Sequence, residues 1–357
     1  MPHSHRSTVD RSRPLADPPL AHRQRDGLSV LVGLSRLQLP WSFVDSRPNL
    51  ADLRSGRKIL LVILAVQAVL SARLVWANTA FQDEALYIWG GRLELAHLLH
   101  GAPVPGFQTY FSGAPVVYPV LAALADESGG LAAVRLLSLA LMLGATMLCY
   151  ATARRLYSRR AALFAAGLFA GTGAAQFLGA FATYDALAIF LLAGATWLGV
   201  RSAWCQQAAA RLTLLVLAGL VLSAADAAKY AATIFDPVVV AVIALVAWRE
   251  LRLRAGVLAG VLVAVVTWGA LDAALNAGGY PYWSGILLTT LSRPGGISTP
   301  AGILYDSVGW VGVVMLLATI GAIVAAFYYP GRAMRLLGVT LAGAVFLAPA
   351  EIGRAHV

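Results

Sequence analysis

Apolar runs of about twenty residues recur along most of this 357-residue chain, each long enough to cross the hydrocarbon core of a bilayer as a helix. Backbone N–H and C=O groups cannot stay unpaired in hydrocarbon, so such a chain is confined to helices or a closed barrel. No alternation of apolar and polar residues over roughly ten positions marks barrel strands. The expected fold is therefore all-α, a polytopic transmembrane helical bundle. A 59% hydrophobic, 12% charged composition with mean hydropathy +0.73 excludes an ordinary soluble domain.

The runs predict nine spans, at roughly 59–78, 131–153, 161–182, 186–204, 212–228, 231–248, 255–276, 308–328 and 336–350. With the N-terminus inside and connections assigned alternately, the inner group holds Arg54, Arg57, Lys58, Arg154, Arg155, Arg159, Arg160, Arg201 and Arg211. Arg249, Arg252, Arg254, Arg332 and Arg335 continue it. The outer group holds Arg92, Lys229 and Arg293, with Arg135 near the outer end of the second span. Short basic connections thus fall on one side, as cytoplasmic loops do. The net charge of +10 follows this pattern, and ten of the 27 Lys and Arg residues precede residue 59. It is a topology signal and not a nucleic-acid stripe.

The acids partition the other way. Asp83, Glu84, Glu94, Asp126, Glu127, Asp185 and Asp306 fall outside, and Asp226, Asp236 and Asp272 lie in or near the outer parts of their spans. Ionisable groups at membrane depth are costly and mark functional sites by default. Asp83, Asp185 and Lys229 stand at the ends of different helices on one face, so the chemistry is expected there, on the extracytoplasmic side of the inner membrane.

Residues 1–57 read as a disordered cytoplasmic tail without the layout of a signal peptide, or as the product of a start placed too far upstream. Residues 58–350 form the transmembrane domain. The final seven, Glu351 to Val357, look like a translated sequencing adapter that truncates the ninth span, so Arg354 and His356 carry no weight. Cys149 and Cys205 need nothing beyond packing. Between the first two spans, residues 84–100 predict an amphipathic interfacial helix with Leu86, Trp89, Leu93 and Leu98 near one face. A second short helix is expected from about Val116 to Asp126, before Gly129-Gly130. The connection at 277–307 is read as a mobile cover on the same side.

The run Phe81-Gln82-Asp83-Glu84-Ala85-Leu86-Tyr87 follows the first span. Ala114-Pro115, Tyr118-Pro119 and Ala133-Val134-Arg135-Leu136 come next, then Arg154-Arg155-Leu156-Tyr157, Ala182-Thr183-Tyr184-Asp185-Ala186 and Ala228-Lys229-Tyr230. From about residue 59 to 250 this order resembles the GT-C membrane glycosyltransferases of the aminoarabinose-transferase and protein O-mannosyltransferase type. The resemblance implies transfer of a sugar from a polyprenyl-phosphate donor to an envelope lipid, glycan or protein acceptor. By the same resemblance Asp83 takes the catalytic role, Glu84 a supporting or metal-binding one, and Asp185 that of the second acid. Lys229, Arg135, Arg293 and Tyr230 become donor or phosphate contacts. One departure stands out: several relatives carry a lysine before the Pro-Pro of the first loop, where this chain has Ser112-Gly113-Ala114-Pro115.

Each residue also has a plainer reading. Asp83 and Glu84 suit a helix N-terminus, and Asp185 suits the cap of a span. Lys229 matches an i, i+3 salt bridge with Asp226. His97 and His100, with Glu94 nearby, offer an incomplete ligand set, so no cofactor is required and a divalent metal rests on weak candidates, Glu84, His97 and His100. Two other classes compete with a transferase: a secondary transporter, though no inverted repeat is visible, and a non-catalytic subunit of envelope polymer assembly.

Overall fold

The structure, a computed structural model, describes residues 50–77, 79–107, 111–277 and 299–347. The tail before them and the last seven residues lie outside the described part, as does most of the connection expected to act as a cover. Every regular element among the described residues is helical. In chain order these are α1 (Leu50–Val75), α2 (Gln82–His100), α3 (Tyr118–Leu156), α4 (Arg159–Gly171), α5 (Gly173–Leu178), α6 (Tyr184–Ser202) and α7 (Ala208–Ala228). A 3-10 segment (Tyr230–Phe235) leads into α8 (Asp236–Glu250), followed by α9 (Leu253–Ala277), α10 (Pro300–Tyr328) and α11 (Arg332–Val345).

Among the described residues six helical stretches are long and apolar enough to cross a membrane: Gly56–Val75, Tyr118–Leu156, Tyr184–Ser202, Ala208–Ala228, Tyr230–Glu250 and Leu253–Ala274. The chain is a multi-pass membrane protein. Its surface shows why. Leu61, Val62, Leu258, Val265, Val313 and Phe327 stand exposed on the spans, while Ala162, Ala166, Ala186, Ala195, Ala218 and Ala225 are buried between them. Lipid removes the hydrophobic drive for helices to associate, so small residues that let backbones approach hold the contacts instead. Along this scheme α6 packs on α7 and α3, α7 on α9, and α8 on α9.

The span expected at 161–182 is not one helix. The helical run stops at Gly171, and Thr172 takes an extended conformation, its hydroxyl accepting from the Ala175 amide to cap α5. The broken pair still traverses the bundle. Near its start Leu156 receives a hydrogen bond from Arg249, and at its far end the Ala182 amide meets Glu84. The expected eighth span falls within α10, and the expected ninth overlaps α11, which ends at Val345 and packs Leu337 against Val242 and Val246 of α8.

The two short helices of the first loop are present. α2 lies against the first turns of α3, though by another face than expected: Glu84, Tyr87, Ile88, Gly91 and Glu94 are buried, while Trp89 and Leu98 stay exposed. α3 breaks where Gly129-Gly130 falls, separating a short helix from the long span. Gly130 has φ 65° and ψ −163°, a region open in practice to glycine alone. Gly130→Ala should therefore cost about 1–3 kcal/mol, read as a lower melting temperature of the detergent-solubilised protein, whereas Ala substitution at the helical Gly269 should not.

Candidate active site

The acid pair opening α2 divides into two duties. Glu84, at N3, reaches back so that its Oε2 accepts from the Phe81 amide at 2.9 Å, which fixes the start of the helix. Its carboxylate is fully buried and forked by Arg135, with Nε to Oε1 at 2.9 Å and Nη2 to Oε2 at 2.7 Å. The Ala182 amide adds a fourth bond, 2.7 Å to Oε1. Burial alone would raise the Glu84 carboxyl, but Arg135 and the amides of Ala182 and Phe81 outweigh it and hold the group below the ordinary glutamate range. Arg135 in turn donates to the carbonyls of Val75 (2.5 Å) and Thr79 (3.1 Å). One ion pair thus joins the end of α1, the start of α2, the third helix and the strand of chain entering α6.

This geometry changes two expected roles. Arg135 is 1% exposed and its guanidinium is committed to the interior, so it does not face a donor phosphate. Glu84 has both oxygens engaged and does not offer a metal ligand. His97 and His100 are exposed in the last turn of α2, about 20 Å along the helix from Glu84. His97 Nδ1 lies 2.7 Å from the Ala102 carbonyl oxygen. Among the described residues no three His, Cys, Asp or Glu side chains gather as a metal set, and the residues suggested for a metal do not fit one. Tyr230 is buried beside Ala114 and Leu271, as a packing residue. Arg293 lies outside the described residues.

Asp83, next to the clamp, points out and is exposed. One helical turn on, Tyr87 is buried, its ring 4.9 Å from Tyr184, 5.6 Å from Phe111 and 5.8 Å from Tyr118. Burial, then Tyr184 and the carboxylates of Asp83 and Asp185, push the Tyr87 hydroxyl far above the tyrosine range. It stays protonated at any working pH. The Tyr87–Tyr184 contact brings together the first turns of α2 and α6, which carry Asp83 and Asp185. Sequence reasoning passed over Tyr87 and Tyr184; the signals were an i, i+4 spacing from Asp83 and adjacency to Asp185.

Lys229 closes the group. α7 ends at Ala228, and Lys229 is extended (φ −147°, ψ 113°), so the helical i, i+3 relation to Asp226 is lost. Its Nζ donates to Asp185 Oδ1 at 2.5 Å and lies 5.8 Å from the Tyr184 ring centre. Both partners are about a quarter exposed. The loop without the relatives' lysine braces this turn: the Ala114 amide donates to the Ala227 carbonyl (2.7 Å) and the Tyr230 amide to the Ser112 carbonyl (2.8 Å). Gly113 is needed between them, since a Cβ there would sit 2.1 Å from the Ala228 carbonyl oxygen. Asp226 instead faces Asp236 in the interior, and the Trp268 indole donates to Asp236 Oδ2 at 3.1 Å. Beside Asp83, Thr79, Ala80, Phe81, Phe177 and Phe181 line a largely apolar cavity of about 440 Å³.

The helices and their order make an all-α bundle of membrane-spanning helices. Residues 114–277 match the family model of the dolichyl-phosphate-mannose-protein mannosyltransferases. The fold is similar to that of AglB, the archaeal oligosaccharyltransferase of Archaeoglobus fulgidus, solved with an inhibitory peptide and a dolichol-phosphate (TM-score 0.53, 16% identity, 84% of this chain and 48% of that one). A crystal structure of the Archaeoglobus fulgidus oligosaccharyltransferase with Zn and sulfate aligns at TM-score 0.49, 15% identity, over 82% and 48%. The chain spans about half the length of these proteins. No curated protein matches it.

Arg135→Leu leaves the buried Glu84 carboxylate unpaired and should cost about 3–5 kcal/mol, whereas E84L/R135L should cost less than either single change. Thermal unfolding in detergent measures both. The folded Glu84 value lies below the unfolded one, so its stabilisation is present above pH of about 4.3 and is lost as pH falls through the folded value. Wild-type melting should drop on acidification below that point, and Glu84→Gln should show a shallower drop.

Proposed function

We propose that the chain is a glycosyltransferase that moves a sugar from a polyprenyl-phosphate carrier to a hydroxyl of an envelope lipid, glycan or protein, on the extracytoplasmic side of the inner membrane. The observation that carries this reading is that the Tyr87–Tyr184 ring contact brings the starts of α2 and α6, with Asp83 and Asp185, to one end of the bundle, where Lys229 bonds Asp185 beside the Tyr184 ring. The family match over residues 114–277 supports it. So does the apolar cavity beside Asp83, which offers the isoprenoid a place to lie with its head group at the acids.

The chemistry needs two things. As the acceptor oxygen bonds to the anomeric carbon, its proton must leave, and the exposed Asp83 carboxylate takes it. The bond from that carbon to the phosphate oxygen breaks in line, inverting the centre, and the electron pair stays on the phosphate. Lys229 answers that charge: an ammonium has three N–H donors and can bridge the Asp185 carboxylate and a phosphate oxygen. Relatives place a lysine on the first loop; here Ser112–Pro115 is spent on bracing the turn that carries Lys229. Tyr87 cannot serve as the base and is left to donate a hydrogen bond. Asp185 orients Lys229 and the acceptor.

Membranes supplied with a labelled polyprenyl-phosphate sugar should release polyprenyl phosphate. Asp83→Asn should lower transfer by about 10²–10⁴ without changing the melting temperature, and Lys229→Gln should lower it by about 10²–10³. Near-normal turnover by Asp83→Asn removes the base from this position. Solute movement with no release of carrier would make the protein a transporter.

A further inference from the structure

At the far end of the bundle the same helices build a second, opposite kind of site. α6 runs from Asp185 to its end at Ser202 in about 25 Å, so the two ends stand roughly one hydrocarbon core apart. There Tyr150, Ala151, Arg154, Arg155, Trp197 and Trp204 line a cavity of about 520 Å³ between α3 and α6. Arg154 and Arg155 are exposed, and Tyr150 is buried at the cavity's inner side.

Two guanidinium groups are held by stacking. Arg155 lies over the Trp204 ring at 5.5 Å, and Arg201 over Trp197 at 5.1 Å. A face-on stack fixes the guanidinium plane while using none of its N–H donors, which point from the edge of the plane. Among the described residues Arg154, Arg155 and Arg201 form no ion pair, and the acid at this end, Glu250, is paired with Arg249 at 3.1 Å. Clustered like charges repel one another unless an anion sits among them. The anion must also suit the place: cationic at the mouth, aromatic and apolar just behind, at the depth where tryptophans mark a membrane interface.

We propose that this pocket binds the phosphate head group of an anionic phospholipid in the leaflet opposite the Asp83 site. Planar guanidinium edges match phosphate oxygens in pairs, and basic pockets between membrane helices hold such head groups in the same way. Because the pocket joins the ends of α3 and α6, a bound lipid ties together two helices whose other ends carry Arg135 and Asp185. The site is independent of the sugar chemistry and stands even without it.

The test uses the full chain in nanodiscs of phosphatidylcholine with or without phosphatidylglycerol, with retained lipid counted by native mass spectrometry. Wild type should retain phosphatidylglycerol over phosphatidylcholine, and R154A/R155A should lose that preference by roughly tenfold or more. R154K/R155K, which keeps the charge but removes both planar guanidiniums that line the pocket, the Trp204-stacked one included, should fall between. Equal retention of the two lipids by wild type, or an undiminished preference in R154A/R155A, would overturn the proposal. If R154A/R155A fails to fold, R154K/R155K decides: a preference equal to wild type counts against the stacked site. Binding of inorganic phosphate with no preferential retention of phosphatidylglycerol would likewise overturn it, making this a site for free anion and not for lipid.

Discussion

The ion pair between Glu84 and Arg135 is the constraint on which the candidate active site depends. Neither side chain reaches solvent, and the carboxylate accepts from one guanidinium and two backbone amides. A buried pair of this kind is weak evidence for net stability, because desolvation consumes much of the attraction. Its value here is geometric. It fixes Asp83 one residue before it, and through Ala182 it fixes Asp185 three residues further along, so acids from two distant helices are aimed at one place. The i, i+1 neighbours of α2 then do different work: one carboxylate faces in and holds, while the other faces out and is available.

The second brace is made of backbone. The Ser112–Ala114 loop and the Ala227–Tyr230 turn exchange two hydrogen bonds across a contact that tolerates only glycine at position 113. Lys229 leaves the helix there, which carries its ammonium away from Asp226 and onto Asp185. Outside these two braces the bundle relies on alanine and glycine contacts between spans, with larger apolar side chains turned to lipid. Charge differs between the ends: Asp83, Asp185 and Lys229 lie at one, and Arg154 and Arg155 with Trp197 and Trp204 at the other.

Much of this was legible in the chain. The runs at 59–78, 186–204, 212–228 and 255–276 correspond to α1, α6, α7 and α9, since long apolar stretches need only length and composition to be read. The break at Thr172 was not, because a side-chain cap inside an apolar run leaves hydropathy unchanged. Asp83, Asp185 and Lys229 emerged from their places at helix ends. Arg135 and Tyr230 did not keep their expected surface roles, because sequence position gives depth along a span but not the direction a side chain faces. The Glu84 partnership spans 51 residues and leaves no local trace. The Asp226–Lys229 pairing failed for the opposite reason: it assumed that the helix continues one residue past Ala228, where Lys229 is extended.

The account stands on the placing of positions 83 and 185 side by side on the outer face of the membrane. Cysteines introduced at both positions, in a background lacking Cys149 and Cys205, can be treated in intact cells with a short membrane-impermeant bifunctional maleimide. The proposed placement predicts that the two cysteines become cross-linked by a reagent that never enters the cell. Labelling only after the membrane is opened, or labelling of both without a cross-link, would contradict it.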